Sequence, residues 1–69
     1  MTKAGTIKRL HRDNGFGFIR SAEGIDYFFL RTEVVNAVFE ALREGQQIES
    51  FEEEPSERGP RAQRVVVHL

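Results

Sequence analysis

Apolar and polar residues alternate along short stretches of this chain, a pattern typical of half-buried β-strands. Turn signals separate the stretches, the strongest being Asp13-Asn14-Gly15 and the Pro- and Gly-containing segment 55–60. The alternation predicts five strands, at residues 5–10, 16–20, 26–30, 48–53 and 62–69. Five short strands at this spacing predict an all-β fold, either a small barrel or a sandwich.

Residues 32–43 give a mixed signal. Apolar residues recur there at helical spacing, namely Val34, Val35, Val38, Phe39 and Leu42. We interpret the segment as a short helical turn followed by an irregular loop, placed between the third and fourth strands. A full helix over residues 33–43 is the alternative, because the segment ends in good helix formers.

The length of 69 residues predicts a single domain over residues 1–69, which needs a regular core because so short a chain buries only about 60% of its unfolded surface. The absence of cysteine excludes disulfides, thiolate zinc sites and a cysteine nucleophile. The first twenty residues are polar and contain no apolar stretch, so we expect no signal peptide, no membrane span and a cytoplasmic protein.

The charges are unevenly distributed, although the net charge is only −1. Residues 1–20 hold five basic residues and one acidic residue, whereas residues 21–57 hold ten acidic and two basic residues. Residues 58–69 hold three basic residues and no acidic one. If the fold places the first and last segments side by side, their bases form one patch suited to a polyanion.

The candidate chemistry lies in the second and third strands. Alternation puts Phe16 and Phe18 on one face of the second strand and glycines on the other. In the third strand it separates Phe28 from Tyr27 and Phe29. Because the glycines leave space that Tyr27 and Phe29 can fill from inside, we expect the other three rings to stand together outside.

An outward group of three phenylalanines, bordered by Lys8, Arg20 and Arg31, is suited to single-stranded nucleic acid. Every base has a π-face, and stacking on an aromatic side chain contributes about 1–3 kcal/mol per base. A double helix hides those faces. The competing interpretation is that all six phenylalanines belong to the core, which is the commoner arrangement in small proteins.

Five motifs, in this order, are similar to the bacterial cold-shock protein family. They are Gly5-Thr6-Ile7-Lys8, Asn14-Gly15-Phe16-Gly17-Phe18-Ile19, Asp26-Tyr27-Phe28-Phe29, Glu44-Gly45-Gln46, and Arg58-Gly59-Pro60 with a terminal valine strand. The resemblance covers essentially the whole chain. It implies a five-stranded antiparallel OB-type barrel that binds single-stranded RNA or DNA, melts weak RNA structure and prefers pyrimidine-rich strands.

The resemblance also implies which side chains face the ligand. Its positions fall on Lys8, Phe16, Phe18, Asp26, Phe28, Phe39 and Arg58. The rings on the second and third strands would stack bases, and the two cations would meet phosphates or base edges. Further candidates for the same interface are Arg9, Arg20, Leu30, Arg31 and Arg61.

The chain departs from the family pattern at several of these positions. Arg9 and Leu10 replace a Trp and an aromatic residue, and Asn14 replaces a Lys. Leu30 and Arg31 stand where the family has His and Phe. The missing aromatic residues reduce base stacking, so we expect binding that is weaker than is usual in the family. A guanidinium can both stack on a base and pair with phosphate, so we expect Arg9 and Arg31 to compensate in part and to make binding more salt-dependent.

Other chemistries find little support. His11 and His68 have no acid or Ser at relay spacing, so we predict solvated side chains. The acidic residues Glu52, Glu53 and Glu54 lack the alternating ligands of a calcium loop. We therefore expect no metal, no cofactor, no small-molecule substrate and no enzymatic activity. The alternative function is a protein-interaction or homodimerising barrel that uses the same apolar face, although we expect a monomer.

Overall fold

The alternating segments form five β-strands in the computed structural model, which describes residues 2–57 and 59–69. The strands are β1 (Thr2–His11), β2 (Phe16–Ser21), β3 (Asp26–Leu30), β4 (Gln47–Glu54) and β5 (Arg61–Val67). All five predicted strands are confirmed, with ends that differ by a few residues.

The strands close into a barrel in the order β1-β2-β3-β5-β4. Neighbouring strands are antiparallel, except that β3 and β5 meet in parallel where Phe28 lies opposite Arg61. The barrel, and not the sandwich, is therefore the correct alternative. The acidic strand β4 lies between β1 and β5, and β3 lies between β2 and β5, so the two basic segments do not pair as neighbouring strands.

Residues 31–46 contain only two short 3-10 turns, Arg31–Glu33 and Phe39–Ala41, in agreement with the predicted helical turn and loop. The full helix over residues 33–43 is wrong. The backbone N–H of Val35 donates to the carbonyl of Val65 (3.0 Å), and the Asn36 amide bonds both backbone groups of Val67 (2.9 and 2.8 Å). These bonds to β5 hold the segment extended, so tertiary contacts override its helical propensity.

The core consists of the inward side chains of all five strands together with two loop residues. Its members are Ile7, Ile19, Tyr27, Phe29, Phe39, Leu42, Ile48, Phe51, Ala62, Val65 and Val67. The predicted inward positions of Tyr27 and Phe29 are confirmed. The ring centroid of Tyr27 lies 4.9 Å from that of Phe51, and the ring centroid of Phe29 lies 6.0 Å from that of Phe39.

Gly17 decides which side of β2 faces inward. A Cβ atom at this position would lie 2.8 Å from the backbone oxygen of Arg9 and 2.9 Å from the ring of Phe29. Real Cβ atoms do not come this close to other heavy atoms, so the Phe29 ring occupies the space that a side chain at position 17 would need. The phenylalanines on either side of Gly17 consequently point outward.

Candidate nucleic-acid interface

Four rings form a continuous cluster on the outer surface of β1, β2 and β3, which we call the aromatic face: His11, Phe16, Phe18 and Phe28. The three phenylalanine centroids lie 5.3 to 6.0 Å apart, and all three rings are only partly buried. Their predicted outward position is confirmed, and the interpretation of all six phenylalanines as core residues is wrong. Aromatic rings at these distances attract one another in edge-to-face and tilted arrangements.

His11 also belongs to this cluster, and its ring is partly buried, whereas the sequence predicts only a solvated side chain. Its ring is stacked on Phe16, with centroids 4.6 Å apart and planes 25° from parallel, and it meets the edge of Phe18 at 6.2 Å. The cause is a bulge in β1, where Ile7 lies opposite Ile19 but Arg9 lies opposite Phe18. An extra residue shifts the alternation by one, which turns His11 outward.

The bulge also explains which way the neighbouring side chains of β1 point. Strict alternation from the buried Ile7 would turn Leu10 outward and Arg9 inward. Instead Leu10 packs against the core, and Lys8 and Arg9 are both exposed. The sequence gives one weak indication of this bulge. Unbroken alternation from Ile7 would turn the charged side chain of Arg9 into the core, which is unfavourable.

Lys8 and Arg20 lie at one edge of the aromatic face, and both are bound by Asp26. Nζ of Lys8 donates to one carboxylate oxygen at 2.7 Å, and Nε of Arg20 donates to the other at 3.1 Å. The hydrogen bond from Lys8, followed by that from Arg20, lowers the pKa of Asp26 below its usual value. These three candidate residues are therefore brought together as one ionic cluster.

The cations at the other edge are also paired with carboxylates. Arg31 forms an ion pair with Glu40, and Nη2 of Arg61 donates to Glu33 at 3.0 Å. Arg9 has no ion pair within residues 2–57 and 59–69. The cationic border expected from the sequence is thus largely neutralised by the protein itself, with Arg9 as its exception.

The remaining candidates occupy different environments. Leu30 is the cross-strand neighbour of Phe16 and is partly buried on the same side of β3 as Phe28. Arg58 lies outside the described residues.

The structure contradicts the expected exposure of Phe39, whose side chain is 3% exposed and packs against Phe29 in the core. The 3-10 turn Phe39–Ala41 tucks this ring under the loop, where it cannot reach a ligand on the aromatic face.

Two clefts lie on either side of Phe18. The first, of about 400 Å³, is lined by Lys8, Arg9, His11, Phe18 and Asp26. The second, of about 270 Å³, is lined by Phe18, Phe28, Ser56 and Gly59, under the loop between β4 and β5. Each cleft combines an aromatic surface with polar groups, an arrangement that accepts a flat heteroaromatic group with hydrogen-bonding edges.

The described residues contain no cluster of three His, Cys, Asp or Glu side chains placed to hold a metal ion. In the same part of the chain, none of the helices has the length and apolar character needed to cross a bilayer.

Comparison with known proteins agrees with this geometry. The family model described as "'Cold-shock' DNA-binding domain" matches residues 3–68. Cold shock protein 1 of Lactiplantibacillus plantarum is 42% identical over 64 residues, covering 93% of this chain and 96% of that protein. Cold shock-like protein CspE of Bacillus anthracis is 41% identical over 66 residues, covering 96% of this chain and 97% of that protein.

The fold is similar to that of a solved structure described as drosophila Unr CSD456. The TM-score is 0.78 at 27% sequence identity, and the match covers all of this chain and 27% of that longer one. Both the sequence and the barrel therefore lead to one conclusion: this chain belongs to the cold-shock domain family.

Proposed function

We propose that this protein binds single-stranded RNA or DNA by stacking bases on its aromatic face, without covalent chemistry. The observation that carries the proposal is the outward cluster of Phe16, Phe18 and Phe28, three rings within 6.0 Å of one another on neighbouring strands. Membership of the cold-shock family, which is generally nucleic-acid binding and not enzymatic, supports it.

Stacking explains why such a surface favours single strands. Partly exposed phenylalanine rings leave apolar area in water, and an unstacked base covers that area with its own π-face. A base within a duplex is already stacked on its neighbours and offers only its edges. Binding to the unpaired form therefore pulls a weak hairpin toward the melted state, which is the activity of an RNA chaperone or of a regulator of transcript structure.

The charged groups around the rings suit a ligand that carries both phosphates and base edges. Arg9 has no ion pair in the described part of the chain, so a phosphate can bind it without displacing a carboxylate there. Lys8 and Arg20 exchange Asp26 for phosphate at little net cost, because exposed ion pairs contribute little free energy in water. Once released, the Asp26 carboxylate accepts a hydrogen bond from a base amine such as N4 of cytosine.

Replacing Phe16, Phe18 and Phe28 together with Ala tests the proposal. We expect affinity for a fluorescent oligo-U or oligo-T strand, measured by anisotropy, to fall at least 100-fold, since three stacking contacts of about 1–3 kcal/mol each are lost. The matched control replaces Val35 and Val38, which are 61% and 64% exposed in the loop after β3, with Ala. The control removes exposed apolar area elsewhere, and we expect its affinity to be unchanged.

The same variants separate this function from its alternative, a barrel that docks another polypeptide or a second copy through the aromatic face. Unchanged oligonucleotide affinity in the triple variant would contradict the proposal. A shift in oligomeric state, measured by analytical ultracentrifugation of the native and triple-variant proteins, would support the alternative. Circular dichroism of the triple variant establishes that the barrel still folds.

A further inference from the structure

His11 occupies an unusual position for a histidine on a protein surface. It is the cross-strand partner of Phe16, and the two rings are nearly parallel with centroids 4.6 Å apart. One face of the imidazole is therefore covered by a ring that already belongs to the aromatic face. The ring nitrogens of His11 have no hydrogen-bond partner within residues 2–57 and 59–69.

The surroundings of His11 connect two clefts. The ring helps to line the cleft of about 400 Å³ beside Phe18 on the aromatic face. It also lines a separate cleft of about 290 Å³ at the turn between β1 and β2, which we call the turn cleft. That turn cleft is bordered by Leu10, Arg12, Asp13 and Asn14. A strand that covers the three phenylalanines and continues toward the turn must therefore pass over the imidazole.

We propose that His11 is a fourth base-stacking ring, which extends the path of a bound single strand from the phenylalanines to the β1–β2 turn. The inference rests on the proposed function and adds one nucleotide position to it. An imidazole stacked on a benzene ring presents a flat surface to a base, and its two nitrogens offer hydrogen bonds that Phe lacks. No other ring of the aromatic face borders the turn cleft.

A length series of oligonucleotides tests this position. Affinities of oligo-U strands from about four to about eight nucleotides, within the site sizes of about 4–16 nucleotides per OB fold, are measured for the native protein and three variants. The variants are His11→Ala, His11→Phe and the control His68→Ala, which removes the chain's other histidine from an exposed position after β5.

We expect His11→Ala to bind the shortest strands like the native protein and the longest strands about tenfold more weakly, because only the longer ones reach the fourth ring. We expect His11→Phe to keep the gain in affinity with length, and His68→Ala to match the native protein throughout. An equal loss at every length would overturn the inference, since it would mean that His11 merely supports Phe16. Native affinity in His11→Ala, or loss of the gain in His11→Phe, would overturn it too.

The outcome also distinguishes this inference from the function on which it rests. If the native protein binds the strands and the triple phenylalanine variant does not, but His11→Ala is unaffected, only the fourth position fails. If the native protein binds no single strand at all, the result contradicts both the proposed function and the role of His11 that rests on it.

Discussion

The two faces of the β2–β3 sheet are both lined by large apolar side chains, yet only one of them is core. On the inner face Ile19, Tyr27 and Phe29 are at most 1% exposed. On the outer face Phe16, Phe18 and Phe28 are only partly buried and contact one another. The difference teaches that hydrophobicity alone does not select the core of this barrel. The space beside Gly17 determines which face is the core, because the Phe29 ring fits into it. The phenylalanines on the opposite face are then exposed to water.

Removing a ring from each face is the strongest test of this comparison. We expect Phe29→Ala to lower the free energy of unfolding by about 3–5 kcal/mol, since it leaves a cavity in the centre of the barrel. We expect Phe28→Ala, the adjacent residue of the same strand, to lower it less, by about 1–3 kcal/mol, because it loses two ring contacts of about 0.5–1.5 kcal/mol each. Urea unfolding followed by circular dichroism measures both.

The two variants should also differ in binding, in the opposite order. Phe28→Ala is expected to weaken oligonucleotide affinity while the barrel stays folded. A domain of this size has only about 3–10 kcal/mol of stability, so Phe29→Leu is the milder variant to use if Phe29→Ala does not fold. Equal losses of stability at positions 28 and 29 would contradict the distinction between an inner and an outer face.

Adding a methyl group at Gly17 tests why the inner face is the core. We expect Gly17→Ala to cost about 1–3 kcal/mol of stability, because its Cβ atom would overlap the Arg9 carbonyl oxygen and the Phe29 ring. Combining Gly17→Ala with Phe29→Leu in a double-mutant cycle isolates the contribution of that ring. Losses that simply add would show that the Phe29 ring does not fill the space beneath the glycine and that something else selects the inner face.

The alternation of β2 and β3 could be predicted from sequence because neither strand is interrupted by a bulge. Period-two alternation therefore holds from Phe16 to Ile19 and from Asp26 to Leu30. His11 could not be placed in the same way, since the bulge in β1 reverses the alternation before it.

The loop residues were harder still. The exposure expected for Phe39 came only from the family resemblance, whereas its place among the apolar residues of segment 32–43 suits a buried ring. The loop before it is held by bonds from Asn36 to Val67, which join residues 31 positions apart and leave no local pattern.

Charge pairing was equally invisible in the sequence, and it changes the character of the outer face. The basic residues near the rings suggested a cationic border, but folding pairs four of the five described candidate cations with carboxylates that lie 6 to 28 positions away. The inner face has no such border, because charges there would lose their hydration. The outer face therefore combines apolar rings with cations that a phosphate must share or take over.

Releasing one of these cations is the finest test, with the smallest expected effect. Glu40→Gln removes the carboxylate that pairs with Arg31, so we expect affinity for oligo-U at low salt to rise by up to about fivefold, the range of an exposed ion pair. The slope of log affinity against log salt should steepen by about 0.7, the value for one added phosphate contact on a single strand. The matched control is Glu49→Gln, which removes the same charge from an exposed position on β4 that has no ion pair in the described part of the chain. If both variants steepen the slope equally, net charge and not a freed Arg31 is responsible, and Arg31 has no direct part in holding the strand.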